Sequence, residues 1–242
     1  MSTEIAVSTL KSDSSLKAYY RFSTGALKTD SGNGAGHTLT DISAPTEGTG
    51  VFGKCAVFAG DDAYSTADHA DFKPTGNFSI SLWVKASSTA ANQYLFQSLS
   101  INTAYAGIAV YLRTTTTKAI YAYSGKNSGT TKSTDWEGIT GSTQVGDGNW
   151  HLVVFTWDGS SLCLYVDGVS DATPVTWANA PSYAVTNYVR VGDLCHNGDE
   201  EQFLTGSLDD VALWNGIALS QSYITELWRR RMGGLITAGI IP

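Results

Sequence analysis

The sequence predicts an all-β fold, an antiparallel two-sheet β-sandwich closed by one short C-terminal helix. Two observations carry that prediction. Between Trp150 and Val169, two short apolar runs rich in β-branched and aromatic residues each end on Asp-Gly, at Asp158-Gly159 and Asp167-Gly168. Asp-Gly supplies the positive φ of a tight hairpin turn, so this stretch reads strand, turn, strand, turn. The second run also alternates: Leu162, Leu164 and Val166 face one way, and Cys163, Tyr165 and Asp167 the other. That is the period of a half-buried strand. A chain of 242 residues fits one sandwich, and no internal repeat, charge run or Pro-rich linker divides it.

Taken in order, strands are expected near 16–22, 53–58, 63–66, 78–85, 93–98, 107–113, 118–123, 150–157, 162–167, 187–192 and 206–214. Residues 124–149 read as a long polar loop carrying Trp136 and Glu137, and 170–186 as another carrying Trp177 and Tyr183. Long loops on a compact domain are functional or mobile. The helix begins at Ser220, which can accept a backbone N–H as N-cap, and Tyr223, Ile224, Leu227 and Trp228 form its apolar face. Arg229, Arg230 and Arg231 then favour its negative end, and Gly233-Gly234 stops it.

Composition narrows the function. Charged residues make up 15% of the chain, below the roughly 25% of an average soluble protein. The net charge is −7, which argues against a nucleic-acid partner because phosphate binding needs clustered Lys and Arg. No apolar run approaches the roughly 20 residues of a membrane span. The first twenty residues lack a secretory signal pattern. Three widely spaced cysteines, Cys55, Cys163 and Cys195, read as unpaired thiols and offer no zinc pair. The expectation is synthesis in the cytoplasm and a working place in a virion or other extracellular assembly.

The Trp150–Val169 stretch resembles the laminin-G-like branch of the concanavalin-A-like jelly-roll superfamily. In that family a "W-H-x-V-x-x-x-W/Y-D-G-x-x-L-x-L-Y-V-D-G" segment precedes a last strand "G-x-I-D-D/E-V-x-I-W/Y". The last strand is present as Gly206-Ser-Leu-Asp-Asp-Val-Ala-Leu-Trp214. Earlier pieces follow in the family's order: Leu16–Phe22, Asp30-Ser-Gly-Asn-Gly34, Gly53–Phe58 and Phe78–Val84. The resemblance spans residues 14–231, leaving residues 1–13 as an N-terminal arm and 232–242 as an apolar tail. The closing segment also resembles pentraxins.

The resemblance implies a structural calcium ion between an early loop and the last strand. By position, Asp209 would supply a carboxylate, and the Asp30–Gly34 turn, with Asn33, further oxygens; calcium takes six to eight hard oxygen ligands. The same turn is also a good one on backbone grounds, and Asp209-Asp210 can be read as a solvated pair on an edge strand. A second, pentraxin-type calcium site is only half present: its Asp-Asn pair falls on Ala104-Tyr105, while Asp193, Asn197, Asp199, Glu200 and Glu201 lie in the other half. A plain acidic loop is the alternative.

Sugar recognition without metal uses exposed aromatics that stack on a pyranose, with polar groups for its hydroxyls. Trp136 and Trp177, with Tyr105 and Tyr183, are the loop aromatics; Asp193, Asn197 and Asp199 are the polar candidates. Such aromatics can equally fold back on the sandwich or sit in a subunit interface. Glucanases of this fold carry E-x-D-x-x-E, and nothing here matches; adjacent Glu200 and Glu201 would point to opposite sides of a strand. His151 reads as a packed strand residue. The tail, Leu235–Pro242, is apolar and is expected to dock on another subunit of a homo-oligomer.

The expectation is therefore a non-catalytic, lectin-like module recognising cell-surface glycans, within an assembly such as a phage capsid decoration, fibre or tail. A purely structural virion protein and a glycoside hydrolase with an atypical site are the alternatives.

Overall fold

A computed structural model describes residues 13–34, 36–51, 53–87, 91–100, 106–114, 118–126, 136–183, 187–196 and 199–237. In chain order the strands are β1 (Leu16–Tyr20), β2 (Thr40–Ile42), β3 (Thr46–Thr49), β4 (Lys54–Ala59), β5 (Ala63–Thr66) and β6 (Phe78–Ser87). Next come β7 (Gln93–Ser100), β8 (Gly107–Leu112), β9 (Ile120–Gly125), β10 (Trp136–Thr140), β11 (Asp147–Trp157) and β12 (Ser161–Val166). The last are β13 (Val169–Ser170), β14 (Val175–Thr176), β15 (Asn187–Val191), β16 (Leu194–His196), β17 (Asp199–Glu201) and β18 (Thr205–Asn215). A 3₁₀ turn (Ala70–Phe72) and helix α1 (Gln221–Thr237) complete the described elements.

Two antiparallel sheets stack as the alternation predicts. One runs β13-β12-β11-β6-β18-β4-β3, with β1 added on β18 and β14 on β12; the other runs β10-β9-β8-β7-β15-β5-β2. The hairpin β16–β17 forms a small third sheet. Neighbours distant in sequence, such as β6 between β11 and β18, mark the chain crossing between layers. Burial in β12 alternates along its length as expected. Asp167 and Gly168 both take positive φ, 52° and 82°, the two-residue hairpin geometry. Between the sheets lie Phe78, Ile80, Leu82, Val84, Phe96, Val110, Phe155, Leu164 and Leu213, all essentially without solvent contact. Burying a side chain of this size contributes about 1.5–3 kcal/mol before entropy is counted.

The outer face of the nine-stranded sheet carries a second apolar layer of Trp83, Trp150, Leu152, Val154 and Trp214. Helix α1 packs against this layer with Ile224, Tyr223, Leu227 and Trp228. Ser220 Oγ accepts the N–H of Tyr223 at 3.3 Å, the expected N-cap. Gly168 receives the helix: its carbonyl accepts Gln221 Nε2 at 2.6 Å and Thr225 Oγ1 at 2.9 Å. A Cβ on Gly168 would meet Trp228 Cβ at 3.0 Å, so the turn glycine is also a packing requirement.

Several expectations need correction. The helix does not stop at Gly233-Gly234 but runs to Thr237, so the three arginines lie within it. Glycine weakens a helix interior by about 1 kcal/mol without removing a hydrogen bond as proline does. Of the tail, 232–237 is helical backbone and 238–242 lies outside the described residues. The loop expected at 124–149 contains strand β10, paired along β9 from Trp136↔Gly125 to Thr140↔Tyr121. Asp209 and Asp210 are not a solvated edge pair: β18 is central, between β6 and β4, and the two residues are 0% and 7% exposed. They sit at a bulge between Asp209 and Ala212, with Asp210 at φ 49°. Cys55 and Cys195 are buried and Cys163 half-buried, all free thiols as read.

Candidate functional site on the outer face of the seven-stranded sheet

Inward residues of β8 and β9 (Ile108, Val110, Leu112, Ile120 and Ala122) fix the phase of those strands, so Tyr111, Tyr121 and Tyr123 must face outward. Register then brings the rings together. Tyr94 pairs with Tyr111 and Tyr111 with Tyr121, directly across neighbouring strands. Tyr94 and Tyr111 stack at 4.7 Å between ring centroids, 14° from parallel. Tyr111 meets Tyr121 at 5.1 Å, and Trp136 stands edge-on to Tyr121 at 6.3 Å and to Tyr123 at 5.9 Å. Cross-strand aromatic pairs of this kind stabilise a sheet by about 0.2–1 kcal/mol each.

Gly138 makes the Tyr121 position possible. A Cβ there would lie 2.0 Å from the Tyr121 hydroxyl, so the ring crosses an edge strand that has no side chain at that point. Arg113 holds its guanidinium 5.1 Å over the Tyr121 ring and donates from Nη1 to Thr140 Oγ1. Tyr94 and Tyr123 are buried at the base of the cluster, whereas Tyr111, Tyr121 and Trp136 are half-buried, the Trp136 indole nitrogen being enclosed. The face thus combines apolar ring walls with phenol hydroxyls and one cationic fork, suited to an uncharged, hydroxyl-rich ligand.

The hairpin β16–β17 folds onto one end of this face through Leu194, which packs in the tyrosine cluster. Beneath it, Arg190 Nη1 contacts Glu200 Oε1 at 3.1 Å and Asp193 Oδ2 at 3.5 Å. Asp193 is fully buried, and among the described residues neither of its oxygens has a hydrogen-bond partner. Burial pushes its carboxyl up to about 7, against the lowering effect of Arg190.

The other sequence candidates are placed as follows. Trp136 joins the ring cluster, but from a strand rather than a loop. Trp177 is 7% exposed within the central core, and its carbonyl accepts Trp157 Nε1 at 2.7 Å. Its ring is therefore a packing element and not a ligand platform. Tyr183 is half-buried with its hydroxyl enclosed, and burial pushes that hydroxyl well above its ordinary value. Asp193 is a buried ion-pair partner and not a surface ligand. Asp199 opens β17 opposite His196. Tyr105 and Asn197 lie outside the described residues. Tyr94, Tyr111, Tyr121 and Tyr123 are not among the sequence candidates, although the apolar spacing in β8 and β9 sets the direction of the last three.

The two carboxylates expected to hold calcium accept backbone N–H groups. Asp30 accepts the N–H groups of Tyr19 and Gly32 on Oδ1 and of His37 on Oδ2. Asp209 accepts Val51 N–H on Oδ2 and Asp210 N–H on Oδ1, and Asn33 Nδ2 donates to the Asp13 carbonyl. Calcium needs six to eight oxygens turned toward one centre. Here the carboxylates face backbone N–H groups, a poor fit to that ion and a good fit to a turn and a bulge clasp. His151 lies between two carboxylates, with Nδ1 2.7 Å from Asp167 Oδ2 and Nε2 3.1 Å from Asp147 Oδ1. Burial would lower its pKa, but the two aspartates outweigh this and raise it.

Among the described residues no helix is long and apolar enough to cross a membrane. Comparison with solved structures finds the same fold in domain 4 of AbnA, a GH43 extracellular arabinanase from Geobacillus stearothermophilus, solved with arabinotriose. That match has a TM-score of 0.65 and 20% identity, covering 88% of this chain and 97% of that one. The binding domain of botulinum neurotoxin DC matches in complex with SialylT (TM-score 0.66, 13% identity) and with rat synaptotagmin II (0.68, 12%). In both cases 90% of this chain covers 52% of the other, about half the length of that binding domain. A search of curated proteins finds no match. The laminin-G-like family described as the concanavalin A-like lectin/glucanases superfamily matches residues 58–225, most of the sandwich, and the chain belongs to that superfamily.

Proposed function

We propose that this chain is a lectin-like, non-catalytic binding module whose glycan ligand lies on the Tyr111, Tyr121 and Trp136 rings. The observation that carries this reading is a row of half-buried rings, Tyr111 to Tyr121 at 5.1 Å and Tyr121 to Trp136 at 6.3 Å, flanked by the Arg113 fork. A sugar ring presents C–H groups on one face and hydroxyls at its edge, which matches stacked rings bordered by donors and acceptors. The complexes of the structural neighbours with arabinotriose and with SialylT support the substrate class.

Two features support binding without catalysis. Both nitrogens of His151 are engaged by carboxylates, which leaves neither to take a proton from a nucleophile. Glu200 and Glu201 are consecutive on β17, and Glu200 is tied to Arg190; a retaining glycosidase needs two carboxyls facing each other about 5 Å apart. We place the module in a larger extracellular or virion assembly, a reading supported by the low charged fraction and the unpaired thiols. Negative-stain electron microscopy of the purified chain tests it; a monodisperse monomer at micromolar concentration would count against it.

A glycan array probed with and without chelator tests the function. The expected result is retention of a defined glycan set regardless of chelator, lost in Trp136→Ala. An array without hits, or hits unchanged in that variant, would overturn the assignment.

A further inference from the structure

We infer that His37, His69 and Asp71 form a binding site for a zinc-class transition-metal ion. The site lies apart from the glycan face, and its three donors are none of the residues expected to ligate calcium. Among the described residues these three form a group whose donor atoms all lie within 4.8 Å of one another. Asp71 Oδ2 is 2.9 Å from His37 Nε2 and 3.2 Å from His69 Nδ1. The two imidazoles are 4.8 Å apart between centroids and tilted by 54°, so they converge on the carboxylate and do not stack.

Each donor is held from behind. His37 donates its backbone N–H to Asp30 Oδ2 at 3.0 Å, and its carbonyl accepts the Tyr20 hydroxyl at 2.8 Å. Its ring rests on Phe72 at 4.5 Å between centroids. The 3₁₀ turn that carries Asp71 is pinned through its carbonyls: Asn215 Nδ2 donates to Asp71 at 3.3 Å and Ser98 Oγ to Phe72 at 2.7 Å. The early loop and the β5–β6 connection therefore present their donors from fixed backbones on two sides. Such orientation from outside the ligand shell is what a metal site requires.

The space in front of the donors is kept clear by Gly34. A Cβ on that residue would lie 2.7 Å from Asp71 Oδ2, 3.0 Å from His37 Nε2 and 2.2 Å from the Lys17 carbonyl oxygen. The site is closed on one side and open on the other: side-chain exposure is 6% for His37, 18% for Asp71 and 43% for His69. Two imidazole nitrogens and one carboxylate oxygen suit zinc and its neighbours in the first transition row, and suit calcium poorly because its ligands are oxygens. With bonds near 2.0–2.1 Å, tetrahedral donors stand about 3.3 Å apart. The 2.9 and 3.2 Å contacts open by a few tenths of an ångström, and the two imidazole donors, which lie within 4.8 Å of each other, draw to the same spacing. His69 Nδ1 now accepts the Asp71 N–H at 3.1 Å, a cap that gives way when the exposed ring turns to the ion. A bound ion would clasp the early loop to the β5–β6 connection and keep one position for water.

The test titrates ZnCl2 into the full chain, stripped with EDTA and dialysed, by calorimetry, alongside Co²⁺ absorption in the visible. The wild type should take up one equivalent of zinc and give the d–d bands of a low-symmetry four- or five-coordinate cobalt site, while calcium gives no heat. His69→Ala removes an exposed side chain and leaves the fold intact; it should weaken zinc at least tenfold and abolish the cobalt bands. His37→Gln should do the same, with folding checked by circular dichroism. Absence of zinc uptake by the wild type, or uptake equal in wild type and His69→Ala, would overturn the site.

Discussion

The two outer faces of the sandwich are both aromatic, yet they are finished differently. On the nine-stranded sheet, Trp83, Trp150 and Trp214 lie beneath helix α1, which Gly168 and Ser220 anchor. On the seven-stranded sheet, the tyrosine ladder and Trp136 meet solvent through half-buried rings, with the β16–β17 hairpin at one end. The helix-covered face is dominated by indoles and aliphatic groups, with the buried Tyr19 hydroxyl donating to Asp210, and serves cohesion. The other ends in hydroxyls and a guanidinium, groups that remain satisfied in water and can exchange water for ligand. On the proposed reading, the same inward core supports one face for stability and one for recognition.

Substitutions can break or sharpen that division. The largest effect is expected at the covered face. Trp83→Ala, at a side chain 2% exposed, should cost about 3–5 kcal/mol in urea unfolding and leave glycan affinity of the folded fraction unchanged. If it cost less than about 1 kcal/mol, the helix would not be sealing that layer. Tyr121→Ala should show the opposite pattern, with about 1 kcal/mol or less lost in stability and roughly tenfold or greater loss of glycan affinity. A variant equally damaged in both measurements would erase the distinction.

Two smaller effects are read from pH. Asp193 has its carboxyl raised to about 7 by burial, so the fold holds its proton more tightly than the unfolded chain does. Stability should therefore fall as pH rises from about 4 to about 7, and Asp193→Asn should flatten that limb by 1 kcal/mol or more. His151 also titrates higher in the fold, because Asp167 and Asp147 outweigh its burial. Its contribution is complete below about pH 6.5 and is lost as pH rises through the folded value. His151→Gln should remove a further decline above neutrality, of about 1 kcal/mol or less. Thermal melts of the three proteins across pH 4–9 check both; a wild-type curve that rises over this range would contradict the two assignments.

Much of the architecture was legible in the chain. The well-buried strands β6, β8, β11, β12 and β18 lie within one to three residues of expectation, though burial alternates strictly only in β12. The short edge strands were not. Thr46–Thr49 is almost wholly exposed, and in Trp136–Thr140 only Ile139 is buried, so neither carries a period-two signal. They are strands because a neighbour offers hydrogen bonds. The candidate site was half visible for the same reason. Alternation tells which way Tyr111 and Tyr121 face, but their contact depends on the registers Tyr94↔Tyr111 and Tyr111↔Tyr121 between strands. Trp177 looks like a loop aromatic until its carbonyl meets Trp157. The His37, His69 and Asp71 group spans 34 residues of sequence and is assembled only when the 3₁₀ turn docks.

The division of labour between the faces is tested most directly by aromatic-ring NMR shifts of the folded protein under titration with a glycan identified on the array. Saturable shifts confined to Tyr111, Tyr121 and Trp136, with Trp83, Trp150 and Trp214 unmoved, are the predicted result. Shifts that appear under helix α1, or anywhere other than the tyrosine ladder, would contradict it.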